Sequence, residues 1–255
     1  MKYPSSQVSA RQGKRALMAA FMACVAATPA RAQHGNGYLF TAPDARITLR
    51  GGYALATAGS DLFSFATDEL TLKKRDFSAL TGGIELAVPI SSRFDISLDA
   101  AYSRSSKGSE FRHFIDNNDR PIEQTTVFER TPVMVNLRYN LAPTGRSIGK
   151  LAWIPTTFVP YVGAGAGFMW YRFNQQGDFV NFANNNVFHS ELNSSNWTSA
   201  AQAIGGVEIS LTPIMALTTD ARYLFARSQL SGDFGGFDKI DLSGVSATIG
   251  LTFRL

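Results

Sequence analysis

The chain has 255 residues with 24 Lys+Arg, 20 Asp+Glu and a single Cys, a length that suits one β domain. Five of the basic residues (Lys2, Arg11, Lys14, Arg15 and Arg31) and no acidic ones fall in the first 32 positions, so the remainder carries 19 Lys+Arg against 20 Asp+Glu. That balance excludes an electrostatic nucleic-acid binder. The lack of any later run of about 18 apolar residues excludes a helical inner-membrane protein.

At the N-terminus, the basic residues precede an uncharged run from Ala16 to Ala30, and Ala30-Arg31-Ala32 is a small-x-small cleavage pattern. Residues 1–32 read as a cleaved secretory signal, leaving 33–255 as the folded chain. Cys24 lies inside the signal. The exported part therefore has neither a disulfide nor a thiol nucleophile. Lipid modification of Cys24 is a competing reading, for which Phe21-Met22-Ala23 is a poor approach.

Eight segments then alternate between apolar and polar residues, the signature of strands with one oily face and one wet face. The first, Ala45 to Leu55, sets Ile47, Leu49, Tyr53 and Leu55 against Arg46, Thr48 and Arg50. The second, Ala79 to Ile90, sets Leu80, Ile84, Leu86 and Val88 against Thr81, Gly83 and Glu85. The third, Phe94 to Ser103, opposes Phe94, Ile96, Leu98 and Tyr102 to Asp95, Ser97 and Asp99, and the fourth, Pro132 to Leu141, opposes Val133, Val135, Leu137 and Tyr139 to Asn136, Arg138 and Asn140.

The fifth, Phe158 to Tyr171, carries Val162, Ala164, Ala166, Phe168 and Trp170 against Tyr161 and three glycines. The sixth, Trp197 to Leu211, sets Ala203, Val207 and Ile209 against Gln202, Gly206 and Glu208. The seventh, Ile214 to Phe225, sets Leu217, Ala221, Tyr223 and Phe225 against Thr218, Asp220 and Arg222. The eighth puts Val245, Ala247, Ile249, Leu251, Phe253 and Leu255 on one face. Its end, with Thr248, Gly250, Phe253 and Leu255, resembles the C-terminal signal that outer-membrane barrels present to the barrel assembly machinery, which the resemblance implies as a partner.

The links alternate in length. Those at 91–93 and 212–213 are tight, whereas 57–77, 104–131, 172–196 and 227–239 are long and polar. Short turns at one end, long loops at the other and an even strand count predict an all-β fold. It is an eight-stranded antiparallel transmembrane β-barrel with short periplasmic turns and long extracellular loops. Near-zero mean hydropathy is expected of such a barrel, because its inward residues and loops are polar. The link 142–157 is longer than a periplasmic turn and has no explanation in the pattern. Outward aromatics sort to the strand ends, with Tyr53, Tyr102, Trp170, Trp197 and Phe225 toward the long loops and Phe94, Tyr139, Phe158 and Phe253 toward the turns, as in interfacial girdles. Outer-membrane lipids and lipopolysaccharide are the expected surroundings.

Inward charges on this register are Arg46, Arg50, Arg138, Arg222 and Arg254 against Glu85, Asp95, Asp99, Glu208 and Asp220. Eight strands enclose only enough room for side chains, so such charges must pair, which predicts a plugged lumen with no open pore. Arg46 and Arg254 are expected at wet barrel mouths, where they would matter little. The whole exported chain resembles the small outer-membrane barrels of the OmpA-like and OmpX-like family, including the glycine-rich Pro160 to Phe168 segment. The resemblance implies fold and location in a bacterial outer membrane. It implies little function, since such proteins anchor, adhere, pass small apolar molecules or modify lipids, and the peptidoglycan-binding module of longer relatives does not follow Leu255.

Gly163-Ala164-Gly165-Ala166-Gly167 lacks the helix and acidic partner of a phosphate cradle, and small residues on a narrow inner wall explain it. Lipid-modifying barrel enzymes use His, Ser and acidic groups near the outer rim; here His113 and His189 lie in long loops, and Ser190 should face away from His189. Asp116-Asn117-Asn118-Asp119 lacks calcium-loop spacing and reads as a turn. No catalytic residue, metal or cofactor is assigned. Phe179, Phe182, Phe188, Phe234 and Phe237, set among polar residues, are the candidates for recognising an extracellular protein or glycan; packing within extended hairpins is the alternative. The leading expectation is a non-enzymatic envelope or surface-interaction protein. A conduit for small hydrophobic molecules or a lipid A-modifying enzyme are the alternatives.

Overall fold

Strand pairing closes on itself. The computed structural model describes residues 37–115, 119–149, 152–181 and 186–255. The expected signal segment, Cys24, His34, Asp116 to Asn118 and Phe182 lie outside the described residues. The strands and the segments between them belong to one compact unit, Gly35–Arg254.

Eight strands form the ring: β1 (Arg46–Ala56), β2 (Ala79–Pro89), β3 (Phe94–Ile115), β4 (Pro121–Asn140), β7 (Phe158–Asn181), β8 (Asn186–Ser210), β9 (Met215–Ser228) and β11 (Gly244–Arg254). Each pairs antiparallel with the next, and β11 returns to β1. The two-residue β10 (Ile240–Asp241) adds to the outer end of β9. No described helix is long and apolar enough to cross a membrane; the crossing is by strands.

The eight alternating segments are these eight strands, and their two faces fall as the alternation requires. Leu49, Ile96, Val135, Val162, Phe168 and Ile249 face outward and are exposed, while the inward residues beside them are buried or, at Gly163 and Gly167, half-buried. The outward apolar belt ends at Tyr102, Trp170 and Trp197. Above it, on the same outward face, stand Arg104, Glu129 and Arg172, in register across β3, β4 and β7.

Two expected long loops are instead continuous sheet. β3, β4, β7 and β8 run for 22, 20, 24 and 25 residues, whereas a tilted strand needs only about 9–11 to cross the hydrocarbon. Residues 172–181 therefore carry β7 roughly 30 Å past the membrane along the strand. The opposite wall is short, since β1, β2 and β11 have 11 residues each.

The low side is filled by the segment read as the first polar loop. It contains α1 (Asp61–Glu69) and a 3-10 turn (Lys74–Phe77). Leu62, Phe63, Ala66 and Leu70 lie on one helical face, and all are buried, with inward residues of the tall wall in the same core cluster. Phe63 sits 4.6, 5.5 and 5.8 Å, centroid to centroid, from the rings of Phe77, Phe128 and Phe173 in edge-on contacts. Phe234 closes the group at 5.4 Å from Phe173.

The unexplained link 142–157 folds as a small hairpin, β5 (Gly145–Ile148) with β6 (Ala152–Pro155). Trp153 in β6 is buried, bridges to Leu39, and lies 5.7 Å from the guanidinium carbon of Arg254. The hairpin thus covers the inward end of β11.

Because Phe63 meets three aromatic rings at once, Phe63→Ala should cost about 3–5 kcal/mol while the barrel still forms. Urea unfolding in lipid vesicles would show it as a lower midpoint; an unchanged midpoint would mean that α1 is not packed on the wall.

Candidate functional site

The interior of the membrane-crossing part is built from charge. Arg46, Arg50, Glu85, Asp95, Asp99, Arg138, Glu208, Asp220, Arg222 and Arg254 all point inward, and none is more than 9% exposed. They come from seven strands, and the closed ring brings them together at a level that sequence order does not reveal.

Their contacts make one connected set. Arg254 Nη2 donates to Glu208 at 2.6 Å, and Glu208 lies 3.9 Å from Arg46. Arg46 is ion-paired with Asp95, which also takes Arg138 Nε at 3.0 Å. Arg138 reaches Glu85 at 3.7 Å, and Arg222 Nη2 donates to Glu85 at 2.8 Å. Arg222 also donates to Asp99 at 2.5 Å and to Asp220 at 2.9 Å, while Arg50 is ion-paired with Asp99 and lies 3.6 Å from Glu85. Five cations and five anions are each in contact with at least one opposite charge.

Neutral donors and acceptors meet part of what the ion pairs leave over. Asn140 Nδ2 donates to Asp95 at 2.7 Å and Thr248 Oγ1 to Asp220 at 2.8 Å. The Tyr161 hydroxyl donates to Asp220 at 3.3 Å, and the Arg138 guanidinium stacks 4.5 Å from the Tyr161 ring centre. Thr48, Thr218 and Thr252 share hydroxyl contacts of 2.6 and 2.8 Å. In a narrow barrel every such satisfied group removes a desolvation cost of about 1–3 kcal/mol.

Glycines make room for the long side chains. Arg50 faces Gly83 on β2 and Gly250 on β11. A Cβ at Gly83 would come within 3.2 Å of Arg50 Nη2, and one at Gly250 within 2.9 Å of Arg50 Cβ. Of the C-terminal set singled out in the sequence, Thr248 and Gly250 face this network. Phe253 lies outward and Leu255 is exposed.

The structure corrects one expectation about the ends of the lumen. Arg46 and Arg254 are not at wet mouths: they are 2% and 5% exposed and both are bound to Glu208. The 142–157 hairpin is the physical reason, because it covers that end. Nor is the inward face charged throughout, since the outer half is apolar, lined by Met134, Met169, Phe128 and Tyr171 and filled by α1.

The aromatic recognition candidates are also corrected. Phe234 is buried against Phe173, and Phe237 is half-buried against Phe65 at 5.4 Å. Phe179 is buried and stacked on Phe188 across the β7–β8 hairpin at 6.0 Å. Among the described members of the set only Phe188 is exposed. Phe179 is thus covered by its partner across the strand pair, while Phe188 keeps an exposed side.

His189 bonds Asp178 at 2.9 Å on the exposed hairpin, while Ser190 is paired with Gly177 and lies on the other face. His113 is exposed near the end of β3. No group of three or more metal-ligating side chains occurs among the described residues.

A closed antiparallel ring with an apolar belt outside and charge sealed inside is the polarity of a barrel integral to the bacterial outer membrane. The fold is that of the small eight-stranded outer-membrane barrels. No family model matches the chain, and no curated protein does. Among solved structures, it is similar to Neisserial surface protein A, at 11% identity, over 84% of this chain and 99% of that one, with a TM-score of 0.46. It is similar to the outer membrane protein OprG from Pseudomonas aeruginosa at 14% identity, over 85% and 99%, TM-score 0.43. Ail, the attachment invasion locus protein of Yersinia pestis, aligns at 10% identity over 84% and 100%, TM-score 0.43. The assignment of fold rests on the ring of strand pairings itself.

Arg222 touches three carboxylates, so Arg222→Met leaves them short of their shared cation and should cost about 3–5 kcal/mol. Arg222→Lys should recover only part of this, because a single ammonium cannot reproduce the guanidinium fork. Urea midpoints of the refolded proteins measure both, and a full recovery by lysine would refute the role given to the fork.

Proposed function

We propose that the protein is a non-enzymatic element of the outer membrane, closed to solutes, that works through the part standing outside the bilayer. The observation that carries this reading is the succession of fillings along the lumen. The 142–157 hairpin covers one end, ten paired charges fill the membrane level, and α1 with its aromatic cluster fills the outer half. What remains accessible is the four-stranded sheet of β3, β4, β7 and β8 beyond the girdle, with Phe188, Val187 and the His189–Asp178 pair on its outermost hairpin. Its exposed, mixed polar and aromatic surface suits contact with lipopolysaccharide, a surface glycan or a protein. The C-terminal residues Thr248, Gly250, Phe253 and Leu255 serve insertion by the barrel assembly machinery.

A second reading, a conduit for small hydrophobic molecules, draws on the apolar wall of the outer half. That wall is occupied by Phe63, Leu62 and Leu72, so conduction would require residues 57–77 to leave.

Single-channel recording of the refolded protein in planar bilayers separates the readings. Silence is expected from the full chain, and large reproducible steps would overturn the closed-lumen reading. Trimming the hairpin between residues 177 and 190 should leave the barrel inserted and reduce retention of cells on immobilised lipopolysaccharide or glycan; unchanged retention would remove the surface role from this hairpin. His113→Ala and His189→Ala should leave the host's lipid A unchanged by mass spectrometry, and loss of a lipid A modification in either would restore the enzymatic reading.

A further inference from the structure

The outward face changes character one step above the aromatic girdle. On three strands the residue two positions beyond the girdle aromatic, and therefore on the same face, is an arginine: Arg104 after Tyr102 on β3, Arg172 after Trp170 on β7 and Arg227 after Phe225 on β9. Two residues of a tilted strand rise roughly 5 Å along the membrane normal. The polar layer outside the hydrocarbon is itself about 5–8 Å thick, so these guanidiniums stand at the level of lipid headgroups.

Arg104 and Arg172 differ from Arg227 in having a common centre. Glu129 lies in register between them, opposite Arg104 on one side and Arg172 on the other. It faces outward yet is only 6% exposed, and its carboxylate takes Arg104 Nη1 at 3.4 Å. Half of the Arg104 side chain stays accessible. Arg172 is half-buried and makes no ion pair among the described residues. The rows on either side bring no further acid: Ser106, Val127, Asn174 and Asn193 lie above, and Thr131, Trp170 and Trp197 below. The row thus keeps one uncompensated positive charge, facing lipid at headgroup height. Neighbouring strands are about 4.8 Å apart, so the two arginine Cα atoms are roughly 10 Å apart. Two guanidinium forks leaning over Glu129 close that gap around one tetrahedral anion.

We propose that Arg104 and Arg172 hold one phosphate of a lipid A molecule in the adjoining outer leaflet, with Glu129 as the positioning residue that fixes the Arg104 fork. Charge and place select this lipid. A phosphate monoester carried on a membrane-anchored sugar brings the matching anion to this height, while its acyl chains lie along the apolar belt below Trp170. The site narrows the reading given above and rests on its placing of this sheet outside the bilayer. It does not use the hairpin between residues 177 and 190, so the two tests fail independently.

Native mass spectrometry of the refolded protein in detergent, titrated with bisphosphorylated lipid A, reads the site. Arg104→Gln and Arg172→Gln should each weaken binding roughly fivefold and together about thirtyfold, the effect of one basic residue at an anionic surface taken once and twice. Arg227→Gln removes the same charge just above the girdle, away from Glu129, and should leave binding unchanged. Lipid A stripped of its phosphates should bind the wild type as weakly as intact lipid A binds the double variant, and phosphatidylglycerol should bind more weakly than lipid A. An equal loss in Arg227→Gln, no loss in the double variant, or equal affinity for phosphatidylglycerol would overturn the site. Should the double variant fail to refold, the single variants and the phosphate-free lipid decide.

Discussion

The interior of an eight-stranded barrel has room for side chains and almost none for bulk water, so charge placed there must be neutralised within the wall. Every other feature of the lumen follows from that constraint. The network does not consist of isolated pairs: Asp95, Glu85, Asp99 and Glu208 are each shared by two or more arginines. Sharing uses the planar fork of arginine, which can serve several carboxylates at once, and it accounts for the lack of any inward lysine in the set. It also explains where glycine occurs, since Arg50 can lie along the wall only because Gly83 and Gly250 face it.

The unequal height of the wall is the second organising feature. Four strands continue beyond the membrane and four stop near it, so the inward face of the tall half would be exposed apolar surface were nothing set against it. Residues 57–77 and 229–243, the connections of the short half, fold across and bury it. Phe63, Leu72, Phe234 and Leu242 are all at most 3% exposed. The extracellular part therefore has its own hydrophobic core, distinct in chemistry from the charged level below it.

The barrel was legible because alternation has a period of two and its meaning does not depend on distant residues. Ile47 to Leu55 or Phe94 to Tyr102 declare their faces locally. Inward pairing was legible in outline for the same reason: once the faces are known, ten charges have nowhere else to go. Which arginine meets which carboxylate was not legible, because it depends on the stagger of the closed ring. The burial of Arg46 and Arg254 is not legible, because nothing in 142–157 announces that Trp153 turns back under the barrel. The plug does leave a signal in the sequence: Leu62, Phe63, Ala66 and Leu70 follow the spacing of an apolar helical stripe in a segment otherwise rich in polar residues. Arg104 and Arg172 fall in stretches that read as loop, and their shared outward face becomes visible only when β3 and β7 are seen to run unbroken beyond the girdle.

The two fillings differ in how they could yield. α1 has nine residues and is held by van der Waals and ring contacts, which weaken one at a time as a segment lifts away. The charged level offers no such path. Moving Arg222 alone would strip Glu85, Asp99 and Asp220 of a shared cation, and each carboxylate so exposed is anchored on a different strand of the closed ring. A route through the membrane level would have to break several buried pairs together, at several kcal/mol each. Displacing the plug would therefore open a blind apolar recess on the cell surface, with the charge network as its floor. Of the two fillings, the charged level is the harder to displace.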